Sequence, residues 1–236
     1  MEAYIAELIG SALLIILGNG VVANVVLKET KGHDSGWIVI TFGWAIAVFV
    51  AVFASTKMGG NAHLNPAITI AFAVAGKLGW ELVPGFVIAQ VIGAMIGSLF
   101  VWISYHDHYR CTEDGNAKLA TFGTIPAIRN PLLNMTTEAI GTFVLVFAVF
   151  YLASPTSSLG ALDALPVALL VLGIGLSLGG PTGYAINPSR DLGPRLLHAM
   201  LPMNNKAKSD WGYAWVPVAG PIIGGILAAI VFKAIG

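Results

Sequence analysis

Six long apolar stretches, separated by short polar segments, dominate the hydropathy pattern of the chain. They cover about residues 4–27, 36–56, 82–105, 132–153, 163–180 and 213–235. Most exceed the roughly 20 residues that an α-helix needs to cross a bilayer, and the fifth is the shortest, with a glycine-rich end. Hydrophobic residues make up 56% of the chain and charged residues only 10%. The pattern therefore predicts an all-α membrane protein with six transmembrane helices, because too little charged surface remains for a soluble protein.

Two further apolar segments are too short to cross a membrane, and each begins at an Asn-Pro pair after a glycine-rich run. The two motifs are Asn65-Pro66-Ala67 and Asn187-Pro188-Ser189. Asn is a preferred N-cap and Pro fits the first helical turn, so each motif predicts the start of a helix. A helix of roughly 11 residues rises ~16 Å, about half of the hydrocarbon core. We therefore expect two half-spanning, re-entrant helices, with irregular backbone that must lie inside protein or beside water.

The two halves of the chain resemble each other. Glu7 opens the first apolar stretch and Glu138 opens the fourth, each followed two residues later by Ile-Gly and a small hydroxyl residue. Each half then runs as span, span, glycine loop, short helix and span. Three spans per half is an odd number, so the second half enters the membrane from the opposite side. The sequence predicts one channel domain over 1–236, with inverted repeats at about 1–105 and 132–236 joined by a polar linker at 106–131.

Small residues recur at helical spacing late in each half, at Gly93 and Gly97 and again at Gly220 and Gly224. Such stripes allow two helix backbones to approach closely in lipid. We expect them to serve helix packing within one chain.

The loop charges bear on orientation and location. With both termini in the cytoplasm, the inner loops hold only Lys57, Lys77 and Lys233. The outer loops then carry Lys28, Lys31, Arg110, Lys118, Arg129, Arg195, Lys206 and Lys208. Charge counting alone favours the inverted orientation. The start of the chain lacks the basic region of a cleaved signal peptide, and the short tails and compact loops favour a bacterial inner membrane.

Composition also narrows the function. The net charge is zero, so nothing favours nucleic acid as a partner, and Cys111 is the only cysteine, which excludes an intrachain disulfide or a cysteine metal cluster. No catalytic serine, histidine and acid grouping, metal-ligand spacing or phosphate loop is present. We expect no enzyme activity and no cofactor.

The two short helices should meet N-terminus to N-terminus near the membrane midplane. Each N-terminus carries a partial charge of about +0.5, so the meeting point repels cations. Asn65 and Asn187 can offer amide hydrogens there to water or to a neutral hydroxylated solute. Arg190 follows the second motif. A guanidinium at membrane depth costs at least ~2.5 kcal/mol, so Arg190 should line a wet cavity, where its fork of donors suits paired hydroxyls.

Residues 59–69 and 183–191 (GGNAHLNPAIT and GYAINPSRD) resemble the signature loops of the major intrinsic protein family, which comprises aquaporins and glycerol facilitators. The resemblance covers essentially the whole chain. The pair Arg190-Asp191 resembles the glycerol-conducting branch, and Ser189 replaces the family's usual alanine. The resemblance implies a passive channel for glycerol and similar uncharged solutes, with some water, assembled as a homotetramer in membrane lipid.

The resemblance also implies a narrow selectivity filter around Arg190. Gly175 stands where water-selective members carry a histidine, and Tyr184 matches the aromatic residue beside the arginine. The fourth position is Phe42 or Trp44, which lie about 200° apart on a helix, so only one can face the pore. Phe42 is the choice that the small-residue pattern favours, if the stretch 55–61 contains extra residues.

Supporting roles follow from the same resemblance. Glu7 and Glu138 should accept hydrogen bonds from the loop amides, and Asp191 should point away from the pore and hold nearby backbone. A ladder of pore-lining carbonyls is expected from Asn61, Ala62, His63, Leu64, Gly183, Tyr184 and Ala185.

Several alternatives remain open at this stage. The pore could prefer water or other neutral solutes, such as dihydroxyacetone, urea or protonated lactic acid. A secondary active transporter would instead use Glu7 and Glu138 as a proton relay. A junction protein with a vestigial pore is a third class, against which stands the presence of both asparagines together with Arg190.

Overall fold

A computed structural model describes residues 1–152 and 157–235, and all the regular secondary structure in this part of the chain is helical. The α-helices are α1 (Glu2–Val26), α2 (Trp37–Lys57), α3 (Pro66–Val74), α4 (Val83–Ser104), α5 (His106–Cys111), α6 (Gly115–Ala120), α7 (Pro131–Tyr151), α8 (Leu165–Leu178), α9 (Pro188–Met200) and α10 (Val216–Ile235). Short 3₁₀ helices at Trp80–Leu82 and Gly160–Ala164 lead into α4 and α8. The predicted fourth stretch runs to residue 153, which lies outside the described residues, as does residue 236.

Six helical segments are long and apolar enough to cross a membrane: α1, α2, α7 and α10, together with α4 and α8, each of these two counted with the 3₁₀ helix that leads into it. The prediction of six transmembrane helices is confirmed. The short helices α3 and α9 contain 9 and 13 residues. At 1.5 Å per residue they rise about 14 Å and about 20 Å, less than the ~30 Å of a hydrocarbon core. The predicted combination of six spans and two half-spanning helices is therefore present.

The packing of the helices follows the duplicated order. In the first half α1 packs against α2 and α4, and in the second half α7 packs in the same way against α8 and α10. The half-helices cross between the halves, since α3 packs against α10 and α9 packs against α4. Glycines allow both crossings: a Cβ added at Gly225 would lie 2.9 Å from the carbonyl oxygen of Ala67, and one at Gly193 would lie 2.7 Å from that of Val91. Each half-helix is thus held by the last span of the other half.

The glycine stripes lie at the interfaces between the first and last span of each half. A Cβ added at Gly93 would clash with the carbonyl oxygen of Leu8 on α1, and one added at Gly224 would clash with that of Ala139 on α7. The obstacle in both cases is main chain, which cannot move aside as a side chain can. The prediction that the stripes serve packing within one chain is confirmed.

The polar linker folds into α5 and α6 and lies over one end of the bundle. Lys118 on α6 is almost fully buried and donates a hydrogen bond to the carbonyl oxygen of Asn204 at 2.5 Å. Burial lowers the pKa of this ammonium group. Thr124, which follows α6, reaches the N-terminal part of α9 through hydrogen bonds to Asp191. The linker is therefore tied to the second half-helix and helps to form the mouth of the site described below.

The close contact between α10 and α7 can be tested with Gly224→Ala. The added methyl group would overlap the Ala139 carbonyl, and overpacking of this kind costs about 1–3 kcal/mol. We expect a lower unfolding temperature for the detergent-solubilised protein, measured by intrinsic tryptophan fluorescence.

The matched control is Gly20→Ala within α1, where a Cβ would meet no heavy atom within 4 Å. Alanine is the better helix former by about 1 kcal/mol, so this variant should unfold at the wild-type temperature or above it. Equal destabilisation by both changes would show that the α10–α7 contact is not as close as described.

Candidate functional site: a constriction where two half-helices meet

Both Asn-Pro motifs form the capped helix starts that their chemistry favours. The side-chain oxygen of Asn65 accepts a hydrogen bond from the Ala67 amide at 2.9 Å. The corresponding oxygen of Asn187 accepts from the Ser189 amide at 3.0 Å and from the Ser189 hydroxyl at 2.8 Å. Each asparagine has extended backbone and is followed by proline in the first turn. Ser189 is thus a buried part of the cap.

The two caps are also bonded to each other's loops. The Asn65 side-chain amide donates to the carbonyl oxygen of Ile186 at 2.8 Å, and the Asn187 amide donates to that of Leu64 at 2.8 Å. These reciprocal bonds hold the N-termini of α3 and α9 face to face. Each amide carries two hydrogens, and both asparagines line the same cavity, so one hydrogen of each remains for a solute.

The loops before the caps have an unusual backbone that is the same in both halves. Ala62 and Leu64 have φ angles of 53° and 52°, and their equivalents Tyr184 and Ile186 have 36° and 43°. Positive φ is uncommon for residues other than glycine and costs about 1–3 kcal/mol each. Left-handed residues placed this way let successive backbone N–H groups converge on one anion. The strained backbone therefore directs neighbouring amide N–H groups of each loop toward a single carboxylate.

Glu7 is the anion on which the first loop converges. Its two carboxylate oxygens accept from the amides of His63 at 2.8 Å and Leu64 at 2.7 Å. Gln90 adds a third bond at 2.7 Å and also donates to the hydroxyl of Thr69 at 2.9 Å. Gln90 was missed by the sequence reasoning, although it is the only glutamine in the chain and stands in an otherwise apolar span.

Glu138 does the same for the second loop. Its carboxylate oxygens accept from the amides of Ala185 at 2.9 Å and Ile186 at 2.8 Å. Glu138 and Glu7 are both almost fully buried, and neither lines the cavities described next. The carboxylates are thus engaged with backbone and turned away from the lumen.

Two cavities lie on either side of a narrow point. The first, of about 80 Å³, follows both loops and is lined by Leu14, Trp44, Val48, Val52, Ala62, His63, Leu64, Asn65, Ile68, Leu145, Val167, Val171, Tyr184, Ala185, Ile186, Asn187 and Arg190. The second, of about 140 Å³, lies toward the linker and is lined by Val22, Val26, Trp37, Ile40, Trp44, Ala120, Gly123, Thr124, Ile125, Gly183, Tyr184 and Arg190. Among the described residues, Trp44, Tyr184 and Arg190 alone border both cavities. These three side chains form the constriction between them.

Arg190 presents its charge to this constriction. Its guanidinium carbon lies 4.6 Å from the centre of the Trp44 ring, and its Nη1 has no hydrogen-bond partner within residues 1–152 and 157–235. The neighbouring Asp191 is engaged elsewhere: its carboxylate accepts from Arg195 at 2.7 Å and 2.9 Å and from the Thr124 amide and hydroxyl at 2.6 Å and 2.8 Å. Arg190 therefore keeps donors available to a molecule in the lumen.

Arg195 is a buried charge whose role the sequence reasoning missed. Its guanidinium bonds Asp191 and also donates to the carbonyl oxygens of Thr124 at 3.0 Å and Ser209 at 2.8 Å. By charge counting along the sequence, Arg195 is only one of the basic residues assigned to the outer loops. The signal for the pairing was its position four residues after an aspartate on one helix, a spacing that brings two side chains together.

The structure places Trp44, not Phe42, at the constriction. Trp44 is 4% exposed, whereas Phe42 is 51% exposed on the outer surface of α2. The choice of Phe42 depended on extra residues between 55 and 61, but α2 continues to Lys57 and the Gly60 amide bonds back to the carbonyl oxygen of Ser55. The turn after α2 is therefore short, and it does not contain the extra residues on which the choice of Phe42 depended.

Gly175 and Asn61 were expected to line the pore, and the structure places them elsewhere. Neither residue lines either cavity. A Cβ added at Gly175 would lie 2.9 Å from the Tyr184 ring and 3.0 Å from Thr41, so the missing side chain makes room for Tyr184 and not directly for a solute. Asn61 is exposed at the start of its loop.

The other residues of the expected carbonyl ladder lie along the cavities. Ala62, His63, Leu64 and Ala185 line the first cavity, Gly183 lines the second, and Tyr184 lines both. The carbonyl oxygen of Leu64 is already bonded to Asn187, which leaves the others to accept from a solute.

Six spans, two half-helices that meet by their N-termini, and cavities on both sides of a constriction define a polytopic membrane protein built around a pore. The chain belongs to the major intrinsic protein family, whose family model matches residues 1–232. It is therefore a multi-pass protein of the cell membrane.

Curated relatives match the whole chain. A probable glycerol uptake facilitator protein of Thermotoga maritima is 53% identical over 233 residues, which cover 99% of each chain. A glycerol uptake facilitator protein of Streptococcus pneumoniae is 52% identical with the same coverage. Among solved structures, the X-ray structure of the aquaglyceroporin from Plasmodium falciparum superposes with a TM-score of 0.85 at 29% identity, covering 99% of this chain and 96% of that one.

The contribution of the buried Asp191–Arg195 ion pair to stability can be tested with Asp191→Asn. This change keeps the shape of the side chain but leaves the fully buried Arg195 without a counter-charge, which typically costs about 3–5 kcal/mol. We expect a marked fall in unfolding temperature, or loss of folded protein in the membrane.

Asp210→Asn is the matched control, because the partner of Asp210 is the half-exposed Arg129. Pairs at the surface contribute about 0–1 kcal/mol, so the control should unfold close to wild type. Similar unfolding temperatures for the two variants would contradict the structural role given to Asp191.

Proposed function

We propose that this protein is a passive channel for glycerol and similar small uncharged polar solutes, with some permeability to water. Relatives named as glycerol uptake facilitators share about half of its residues over nearly their full length. The constriction is the single observation that carries the proposal, because its composition matches the two faces of a polyol.

The match is one of hydrogen bonding on one side and apolar contact on the other. The guanidinium of Arg190 offers several donors in a fixed plane, which suits adjacent hydroxyl groups. The rings of Trp44 and Tyr184 offer flat apolar surfaces to the carbon-bound hydrogens of the same molecule. A solute with hydroxyls along one edge and CH groups along the other can satisfy both faces at once.

Beyond the constriction, the first cavity continues the same division. Backbone carbonyls of the two loops and the free amide hydrogens of Asn65 and Asn187 lie along one wall. The opposite wall is apolar, formed by Leu14, Val48, Val52, Leu145, Val167 and Val171. A polyol can exchange hydrogen bonds along the polar wall without losing contact with the apolar one.

Cations are opposed at two points of this path. The N-termini of α3 and α9 each contribute a positive partial charge of about 0.5, and Arg190 adds a full positive charge. The two carboxylates near the loops, Glu7 and Glu138, are occupied by backbone amides. Exclusion of protons and ions therefore needs no moving part.

In this proposal the protein carries out no chemical transformation and uses no cofactor. Conduction follows the solute gradient. Assembly as a homotetramer, with one pore in each subunit and lipid around the outside, is part of the same proposal.

The main alternative from another class is a secondary active transporter that uses the buried glutamates as a proton relay. The geometry disfavours it, since each carboxylate already accepts two backbone hydrogen bonds and neither lines a cavity. A water-preferring pore is the alternative within the channel class, and it depends on how far the aromatic pair closes the constriction.

The size of the constriction can be tested with Gly175→Ala. The added methyl would lie 2.9 Å from the Tyr184 ring, which must move away from α8 toward the lumen. We expect fast glycerol entry into wild-type proteoliposomes, measured by stopped-flow light scattering, and glycerol permeability about tenfold lower in the variant, the change that ~1.4 kcal/mol of added barrier produces. Water permeability should fall less, because water is smaller.

Gly173→Ala on the same helix is the control, since a Cβ there meets no atom within 4 Å, and it should conduct like wild type. Rapid water flow without glycerol entry in wild type would instead establish a water channel. Accumulation of glycerol above the outside concentration under a pH gradient, abolished by Glu7→Gln, would establish a transporter.

A further inference from the structure

Trp37, at the start of α2, has contacts that the function described above does not use. Its indole Nε1 donates a hydrogen bond to the carbonyl oxygen of Gly175 at 3.1 Å. Its ring meets the ring of Tyr184 edge to face, with 5.7 Å between the centroids and an interplanar angle of 80°. The residue is partly exposed and lines the second cavity together with Tyr184 and Arg190.

The hydrogen bond from Trp37 is accepted by a carbonyl group near the C-terminal end of α8. Gly175 lies within the last four residues of α8, where carbonyl groups have no intrahelical partner. The indole N–H therefore satisfies an acceptor that would otherwise depend on water. Because the donor belongs to α2, this bond also joins the two helices that flank the constriction.

Both aromatic rings rest on main chain that is exposed by glycine. A Cβ added at Gly179 would lie 2.5 Å from the Tyr184 ring and 2.8 Å from the Trp37 ring. A Cβ at Gly175 would meet the Tyr184 ring as well. The two rings thus share one flat surface on α8 and fill the volume that side chains at these two positions would take.

Tyr184 has little else to fix its ring. Its phenolic oxygen has no hydrogen-bond partner within the described parts of the chain. Its backbone φ of 36° ties the main chain to the carboxylate-bound loop but does not determine where the ring lies. The position of the ring is therefore set by packing, on one side against the α8 glycines and on another against Trp37.

We propose that Trp37 is a positioning residue for the constriction: it occupies the volume beside the Tyr184 ring, so that the ring cannot move back from the lumen, and it thereby sets the largest solute that can pass. This inference rests on the proposed channel function. Trp37 acts through Tyr184, so it controls width without being one of the three side chains that border both cavities.

The expected direction follows from where the space opens. Removing the indole leaves a volume beside Tyr184 at the second cavity, next to Gly179. The Tyr184 ring can then move into this volume, and the constriction widens. Solutes larger than glycerol should gain more from the change than glycerol itself.

The test is the ratio of erythritol to glycerol permeability in proteoliposomes, measured by stopped-flow light scattering. In Trp37→Leu we expect this ratio to rise about two- to tenfold, the range that corresponds to loss of one edge-to-face aromatic pair. Trp37→Phe keeps a ring but loses the N–H donor, and its ratio should rise less. Trp80→Leu, which removes an exposed tryptophan that lines neither cavity, should keep the wild-type ratio.

A ratio is used because it does not depend on the amount of folded protein, so a purely structural effect of the substitution would not change it. If Trp37→Leu yields too little protein, the smaller rise in Trp37→Phe decides the question. A wild-type ratio in the Trp37 variants, with normal glycerol conduction, would overturn this inference and leave the proposed function intact. Absence of glycerol conduction in wild type would overturn both.

Discussion

The structure depends on how it satisfies non-helical backbone in the middle of a membrane. Two loops, at residues 58–65 and 179–187, lead to the half-helices at that depth, where an unpaired N–H costs several kcal/mol. Glu7 and Glu138 remove this cost by accepting two amides each from equivalent positions of the loops. The same bonds keep both negative charges away from the lumen, where they would attract the cations that the half-helix ends repel.

The scaffold is symmetric, but the constriction belongs to one half. In the first half Thr69 accepts from Gln90, and no charge is placed beside the cap. The equivalent position in the second half is Asp191, which binds Arg195 and draws the linker residue Thr124 onto the half-helix. Within residues 1–152 and 157–235, it is therefore this half that presents an arginine to the lumen and has its half-helix bound by the linker.

The sequence was informative wherever a feature depends on local chemistry. Apolar length gave the six spans, and cap chemistry gave the start of both half-helices. The side chain that α2 presents could not be obtained this way, because the choice between Phe42 and Trp44 depends on how tightly residues 58–60 close the turn after the helix. The sequence also could not predict which side chain fills the space left by Gly175, since any neighbouring side chain can occupy it.

Pore width in this protein depends on residues behind the lining as well as on the lining itself. Trp44, Tyr184 and Arg190 border the constriction, yet the position of Tyr184 is set by what lies behind it: two glycines of α8 and the indole of Trp37. The lining residues alone therefore do not determine the width of the constriction, because the residues packed behind Tyr184 also contribute. Two chains with identical lining residues can therefore differ in the solutes they pass, if one of them carries a smaller residue at the start of α2 or a larger one at position 175.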